Sequence, residues 1–217
     1  MEIVIHRVNK VQDLKEIPKK YGCEIDIRAQ GSKLILHHDP YVGGDFLEDY
    51  LDVYQHGLLV LNIKEAGIES DVLKAVRSRG IDRHFLLDVE FPYIYRASRA
   101  GERAIAIRYS EDEPIELVNN YASKVDWVWI DTNTMLPLNP EIVRQLKGMN
   151  TCLVCPERWG RKKDIVIYKN NYINYNGIDL PIGVNNINYY LIGIEINIPS
   201  NYAIKSEVRQ LEINLIH

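Results

Sequence analysis

No apolar run in this 217-residue chain approaches the about 18 residues that a membrane-crossing helix needs, so stable membrane insertion is not expected. Met1-Glu2 leads directly into a strand-like run, with no charged and apolar leader of the kind that directs secretion. The expectation is a soluble, cytoplasmic protein. An excess of basic charge is missing too: 26 Lys and Arg stand against 30 Asp and Glu, a formal charge of −4. That balance leaves no electrostatic footprint for nucleic acid, and the cations are spread singly rather than gathered for an anionic membrane surface. Cysteine is scarce. Cys23, Cys152 and Cys155 make an odd count that speaks against a disulfide framework. Cys152-x-x-Cys155 has the spacing of a redox motif or half a zinc site. No second pair accompanies it, however, and its surroundings read as a buried strand, so a core role is expected. Nothing in the composition speaks to oligomeric state.

Core material, by contrast, is ample. Hydrophobic residues make up 46% of the chain, enough for a single globular domain over 1–217. Short apolar runs read as strands at 3–6, 23–28, 57–64, 85–90, 103–109, 127–131 and 150–155. Helical patterns fall between them, near 11–21, 46–55, 68–79, 92–100, 114–124 and 139–148. Asn139-Pro140-Glu141 is a strong helix start, with a capping residue, a proline at the first position and an acid in the first turn. This βαβα rhythm is that of a parallel sheet dressed with helices, and the length suits an α/β barrel. An eighth strand is expected in the tail, where the Ile-rich run Tyr190 to Ile198 can supply it.

The densest chemistry lies in Cys23 to Pro40, CEIDIRAQGSKLILHHDP. A strand sends alternate side chains to one face, so Glu24 and Asp26 share a face opposite Ile25 and Ile27. Their Cα atoms would lie roughly 6 to 7 Å apart, close enough to share one divalent cation. Acids alternating on a solvated strand are the bland alternative. After a Gln30-Gly31-Ser32 turn, a second extended segment delivers His37, His38 and Asp39 to the same rim, with His37 pointing away from His38. His6-Arg7 ends the first strand, and histidine can give or take a proton near neutral pH. The last positions of the successive strands are His6, Asp26, Lys64, Glu90, Arg108, Asp131 and Glu157. In a parallel barrel these ends converge on one mouth, where active sites lie, although any solvated rim is also polar. Trp129 shares a face with Asp131 and serves either as a pocket wall or, more simply, as core.

His6-Arg7, Glu24-x-Asp26 and His38-Asp39, in this order and at this spacing, resemble the glycerophosphodiester phosphodiesterase family, within the phospholipase C-like phosphodiesterases of TIM-barrel fold. The resemblance covers residues 1 to about 163. It implies a (β/α)8 TIM barrel and a metal-dependent phosphodiester hydrolase. Glu24 and Asp26 would hold Mg²⁺ or Ca²⁺, Arg7 and Lys64 would contact the phosphate, and His6 and His38 would act as general acid and base. The attacking group implied is a neighbouring hydroxyl of the substrate, giving a cyclic phosphate before or instead of hydrolysis. The partner implied is a small-molecule phosphodiester. Arg108, Trp129, Asp131 and Glu157 would line its pocket.

The chain departs from the family in three places. The family's Glu-x-Lys on the third strand is Asn62-Ile63-Lys64 here, so a neutral oxygen ligand replaces a carboxylate. Asp88 or Glu90, inward on the next strand by alternation, can supply the missing acid, and Glu90 is taken as the ligand. Only 23 residues separate His38 from Asn62, with Gly43-Gly44 as a short loop where relatives carry an insertion, so a glycerol-specific substrate is not implied. From Asp164 onward, 10 Asn, 13 Ile and 6 Tyr in 54 residues mark an atypical segment, and an irregular closing element is expected. Two other readings stand beside the hydrolase: a non-catalytic descendant binding phosphorylated ligands, and another metal-dependent TIM-barrel enzyme acting on sugar phosphates.

Overall fold

The computed structural model of the chain describes residues 2–161 and 163–164, and the backbone of 189–195. It divides into two compact units, one of residues 3–106 and one of residues 1–2 together with those from Ile107 onward.

The first unit begins with β1 (Glu2–His6), a single helical turn α1 (Val11–Leu14) and β2 (Gly22–Gln30). β1 and β2 run parallel, Val4 opposite Gly22 and Ile5 opposite Cys23. The helix expected over 11–21 stops early because the chain tightens into successive short-range bonds, Glu16 N–H to Asp13 O and Ile17 N–H to Leu14 O, and then meets Pro18, which has no N–H to donate. β2 carries Cys23, Ile25 and Ile27 on one face and Glu24 and Asp26 on the other, and all five are fully buried. β5 (Leu59–Ile63) pairs parallel with β2 in a register that sets Asn62 opposite Asp26. β6 (His84–Leu87) continues the ladder beside β5, and α3 (Glu69–Arg77) connects the two. Val4, Ile5, Ile25, Leu59 and Leu61 have no exposed surface, and each such aliphatic chain contributes about 1.5–3 kcal/mol by leaving water.

β2 runs beyond its parallel partners and folds back through Gly31-Ser32 into antiparallel β3 (Lys33–Leu36). Gly31 has φ +63, as the first position of a two-residue hairpin turn of type II′ requires. The second extended segment ends at Leu36, which leaves His37, His38 and Asp39 in a loop. β4 (Asp45–Phe46) pairs back on β3 and leads into α2 (Leu47–Val53). At Gly44 a Cβ atom would lie 2.2 Å from the Leu36 carbonyl oxygen, so this close return over β3 excludes any side chain. Asp45 accepts the Val11 N–H at 2.7 Å, capping α1 from the hairpin.

The strand expected over 85–90 ends at Leu87 because Asp88 takes φ 56, a left-handed conformation that breaks an extended run. Glu90 then becomes the N-cap of α4 (Phe91–Arg99).

The second unit holds β7 (Ala106–Tyr109), α5 (Ile115–Tyr121), β8 (Trp127–Ile130), α6 (Pro140–Gln145), β9 (Asn150–Val154), a 3₁₀ turn (Pro156–Trp159) and β10 (Tyr189–Glu195). β8 and β9 are parallel, as are β9 and β10, with Tyr189 opposite Thr151. The tail therefore supplies the strand its Ile-rich run suggested, at 189–195. Asn139 caps α6 as its sequence indicates, accepting the Glu141 and Ile142 N–H groups at 2.9 and 3.0 Å. Cys152 and Cys155 are buried, as a core role requires.

Candidate active site

After β1 the chain turns sharply at Arg7, whose φ of 55 is unusual for a residue with a side chain. The turn wraps backbone donors around the buried acids. Arg7 N–H donates to Glu24 Oε2 at 2.7 Å, and Val8 N–H donates to the Glu24 carbonyl at 2.9 Å. The other Glu24 oxygen, Oε1, accepts from the Asn62 amide at 2.7 Å, and buried His6 brings Nε2 to 3.7 Å from Oε2. Burial pushes the Glu24 carboxyl up to about 8, the Asp26 charge adds to the rise, and the bonds from Asn62 and Arg7 oppose it.

Asp26 is held differently. Asn9 grips it at two points, donating from Nδ2 to Oδ2 and accepting the Asp26 N–H at Oδ1, both at 2.8 Å. Lys64 Nζ lies 3.2 Å from Oδ1, and Arg7 Nε lies 3.9 Å from Oδ2. The Lys64 ammonium also stands 3.7 Å from Asp88 Oδ2. Thus His6, Arg7, Glu24, Asp26, Asn62 and Lys64, all expected from the sequence, do come together where the ends of β1 and β5 flank the first half of β2.

His38 sits in the loop after β3, more than a third exposed, with Nδ1 2.8 Å from Asp39 Oδ1. The hydrogen bond from His38 holds the Asp39 carboxyl below its ordinary range, and the charges of His38, His37 and Arg7 add to this. An ionised carboxylate only accepts, so His38 donates through Nδ1 and keeps Nε2 for proton transfer. His37 is engaged locally, its Nδ1 accepting the Asp39 N–H at 2.9 Å.

Glu90 departs from the expectation. The left-handed turn at Asp88 resets the alternation that would have carried Glu90 inward, and it stands exposed at the start of α4. Asp88 is the acid from this segment that approaches Lys64. Two residues went unnoticed in the sequence. Asn9 lies in a loop with no periodic signal, whereas Arg28 shares the face of Glu24 and Asp26 and was open to the same alternation argument.

In the second unit Arg108, Trp129 and Asp131 gather by themselves. Arg108 Nη2 pairs with Asp131 Oδ2, and buried Trp129 donates its indole N–H to Asp131 Oδ1 at 3.2 Å. Trp129 thus packs in the core with its polar edge satisfied. Glu157 belongs to the 3₁₀ turn Pro156–Trp159, and its side chain lies outside the described residues.

Among the described residues no three of His, Cys, Asp or Glu form a metal-binding group. The oxygen donors at the site nevertheless fit a hard divalent cation. Glu24 and Asp26 are two fully buried acids in neighbouring positions, and buried Asn62 Oδ1 has no hydrogen-bond partner among the described residues.

No protein-family model matches the sequence, and no curated protein matches it. Solved structures do. A protein assigned as a glycerophosphoryl diester phosphodiesterase from Agrobacterium tumefaciens superposes with TM-score 0.60 at 11% identity, covering 97% of this chain and 99% of that one. A glycerophosphodiester phosphodiesterase from Agrobacterium tumefaciens gives 0.57 at 14% identity, covering 88% of this chain and 96% of the other. A glycerophosphoryl diester phosphodiesterase from Parabacteroides distasonis gives 0.53 at 10% identity over 88% and 82%. At these identities the likeness is one of fold: the chain has their α/β TIM-barrel fold, the one its motifs implied.

Proposed function

We propose that the protein is a phosphodiester hydrolase acting on a small glycerophosphodiester-like or related alkyl or sugar phosphodiester. The observation that carries this reading is the gathering of His6, Arg7, Glu24, Asp26 and Lys64 where the ends of β1 and β5 flank the first half of β2, with a His38–Asp39 pair in the loop after β3. Arg7 and Lys64 offset the negative phosphoryl oxygens. One of His6 and His38 takes the proton of the attacking hydroxyl, and the other gives a proton to the leaving alkoxide. When that hydroxyl belongs to the substrate itself, the first product is a cyclic phosphate. Mg²⁺ or Ca²⁺ held by Glu24, Asp26 and Asn62 Oδ1 would supply Lewis-acid polarisation of the phosphoryl oxygens. Three buried cysteine thiols suit a cytoplasmic setting, and the acidic balance of the chain suits a small ligand better than nucleic acid.

A phospho-ligand-binding descendant is the second reading, favoured by Asn62 in the place of a carboxylate. Hydrolysis of bis(p-nitrophenyl) phosphate and a panel of glycerophosphodiesters, with Mg²⁺, Ca²⁺, Mn²⁺ or EDTA, separates the two. Turnover should fall by about 10² to 10⁴ in His6→Ala and in His38→Ala. It should also be lost in Glu24→Ala. No turnover from the folded parent with any metal would replace the hydrolase by the binder.

A further inference from the structure

Arg28 follows Glu24 and Asp26 on the same face of β2 and is largely buried, with 15% of its side chain exposed. Its guanidinium donates from Nε and Nη2 to the carbonyl oxygen of His38, at 3.1 and 2.9 Å, and from Nη1 to the carbonyl oxygen of Lys64 at 3.2 Å. The Glu65 carboxylate, 3.9 Å from Nη1, balances its charge. One rigid planar group therefore links the segment after β3 to the segment after β5. A guanidinium can do this because its donors diverge in a fixed fork, whereas an ammonium is a single point charge on a flexible stem.

The two linked residues differ in what else holds them. Lys64 N–H continues the sheet ladder to the Ile27 carbonyl at 3.0 Å, so its backbone is fixed without Arg28. His38 lies past the last β3 pair, where the neighbouring His37 N–H bonds Asp26 O at 3.0 Å. We propose that Arg28 is a positioning residue: it fixes the His38 backbone relative to Lys64, so that the imidazole meets the phosphodiester that Lys64 and Arg7 hold. Its kinetic consequences rest on the phosphodiesterase reading, while the link itself rests on the three hydrogen bonds.

The test uses Arg28→Lys and Arg28→Met, with folding checked by circular dichroism and thermal melting. Misplacing a reacting group by an ångström costs up to about 10² in rate, so kcat should fall about tenfold or more while KM changes less than about threefold. Millimolar guanidinium should restore part of the kcat lost in Arg28→Ala, a response that general destabilisation does not give. The His38 ring resonances should shift or broaden in Arg28→Met while those of His6 stay in place. A folded Arg28→Met with unchanged His38 resonances would overturn the inference, as would a wild-type kcat in both Arg28→Lys and Arg28→Met. If the parent turns over no phosphodiester, the hydrolase reading fails, and the resonances alone decide the role of Arg28.

Discussion

Two clusters of charge at strand ends, one in each unit, are built on opposite principles. In the second unit one acid, Asp131, meets one guanidinium from Arg108, and the Trp129 indole takes its other oxygen. Both Asp131 oxygens therefore have a donor, and a second acid, Glu113, stands 3.5 Å from Arg108 Nε. In the first unit two acids are buried side by side. One ammonium stands 3.2 Å from Asp26, a guanidinium nitrogen stands 3.9 Å away, and the buried amide oxygen of Asn62 has no hydrogen-bond partner among the described residues. The backbone at Arg7 and Asp88 is left-handed around the same place. Left-handed backbone and a pair of fully buried acids are thus kept together at one place in the first unit.

Removing the cation from each cluster breaks this contrast most directly. Lys64→Met leaves Asp26 and Glu24 buried with less positive charge, and unfolding by denaturant should show a loss of about 3 kcal/mol. Equal stability of this variant and the parent would mean that the two acids are already balanced. The pH profile comes next. Glu24 rises from 4.5 to about 8, so the folded protein keeps a proton that the unfolded chain releases. This contribution is full below pH 4.5 and is lost as the pH climbs toward 8, so the melting temperature of metal-free protein should fall by several degrees across that window. Glu24→Gln should flatten the slope, and a flat profile in the parent would remove the argument for a strained pair. Arg108→Met should cost only about 1 kcal/mol, because the pair is partly solvated and Asp131 keeps the Trp129 bond. Smallest of all, Glu113→Gln, which removes a half-exposed partner 3.5 Å from Arg108, should stay within about 0.5 kcal/mol.

Much of the first cluster was legible beforehand because strand alternation is strictly local. Glu24, Asp26 and Lys64 end on the expected face wherever the strands pair, and His6 closes β1 as its apolar run suggests. Glu90 shows where that logic stops. A single left-handed residue at Asp88 resets the alternation, and a φ near +56 for aspartate leaves no mark in the pattern of apolar and polar residues. Asn9 was invisible for a similar reason: a loop residue is brought to Asp26 by the turn at Arg7 and not by any period. The α1 helix shrank to one turn because short-range bonds and Pro18 outweighed the helical spacing of its apolar residues.

The amino-acid order by itself determined the α/β rhythm, the faces of the strands and the residue types at their ends. These follow from side-chain geometry within a few neighbours along the chain. Only the tertiary structure decided the partners: the Asn62 amide on Glu24, the Asn9 clamp on Asp26, Lys64 between Asp26 and Asp88, and Arg28 joining His38 to Lys64. Each joins residues 10 to 38 positions apart or sits beside a turn that no local preference dictates, and such contacts exist only once the register between strands has been set by packing.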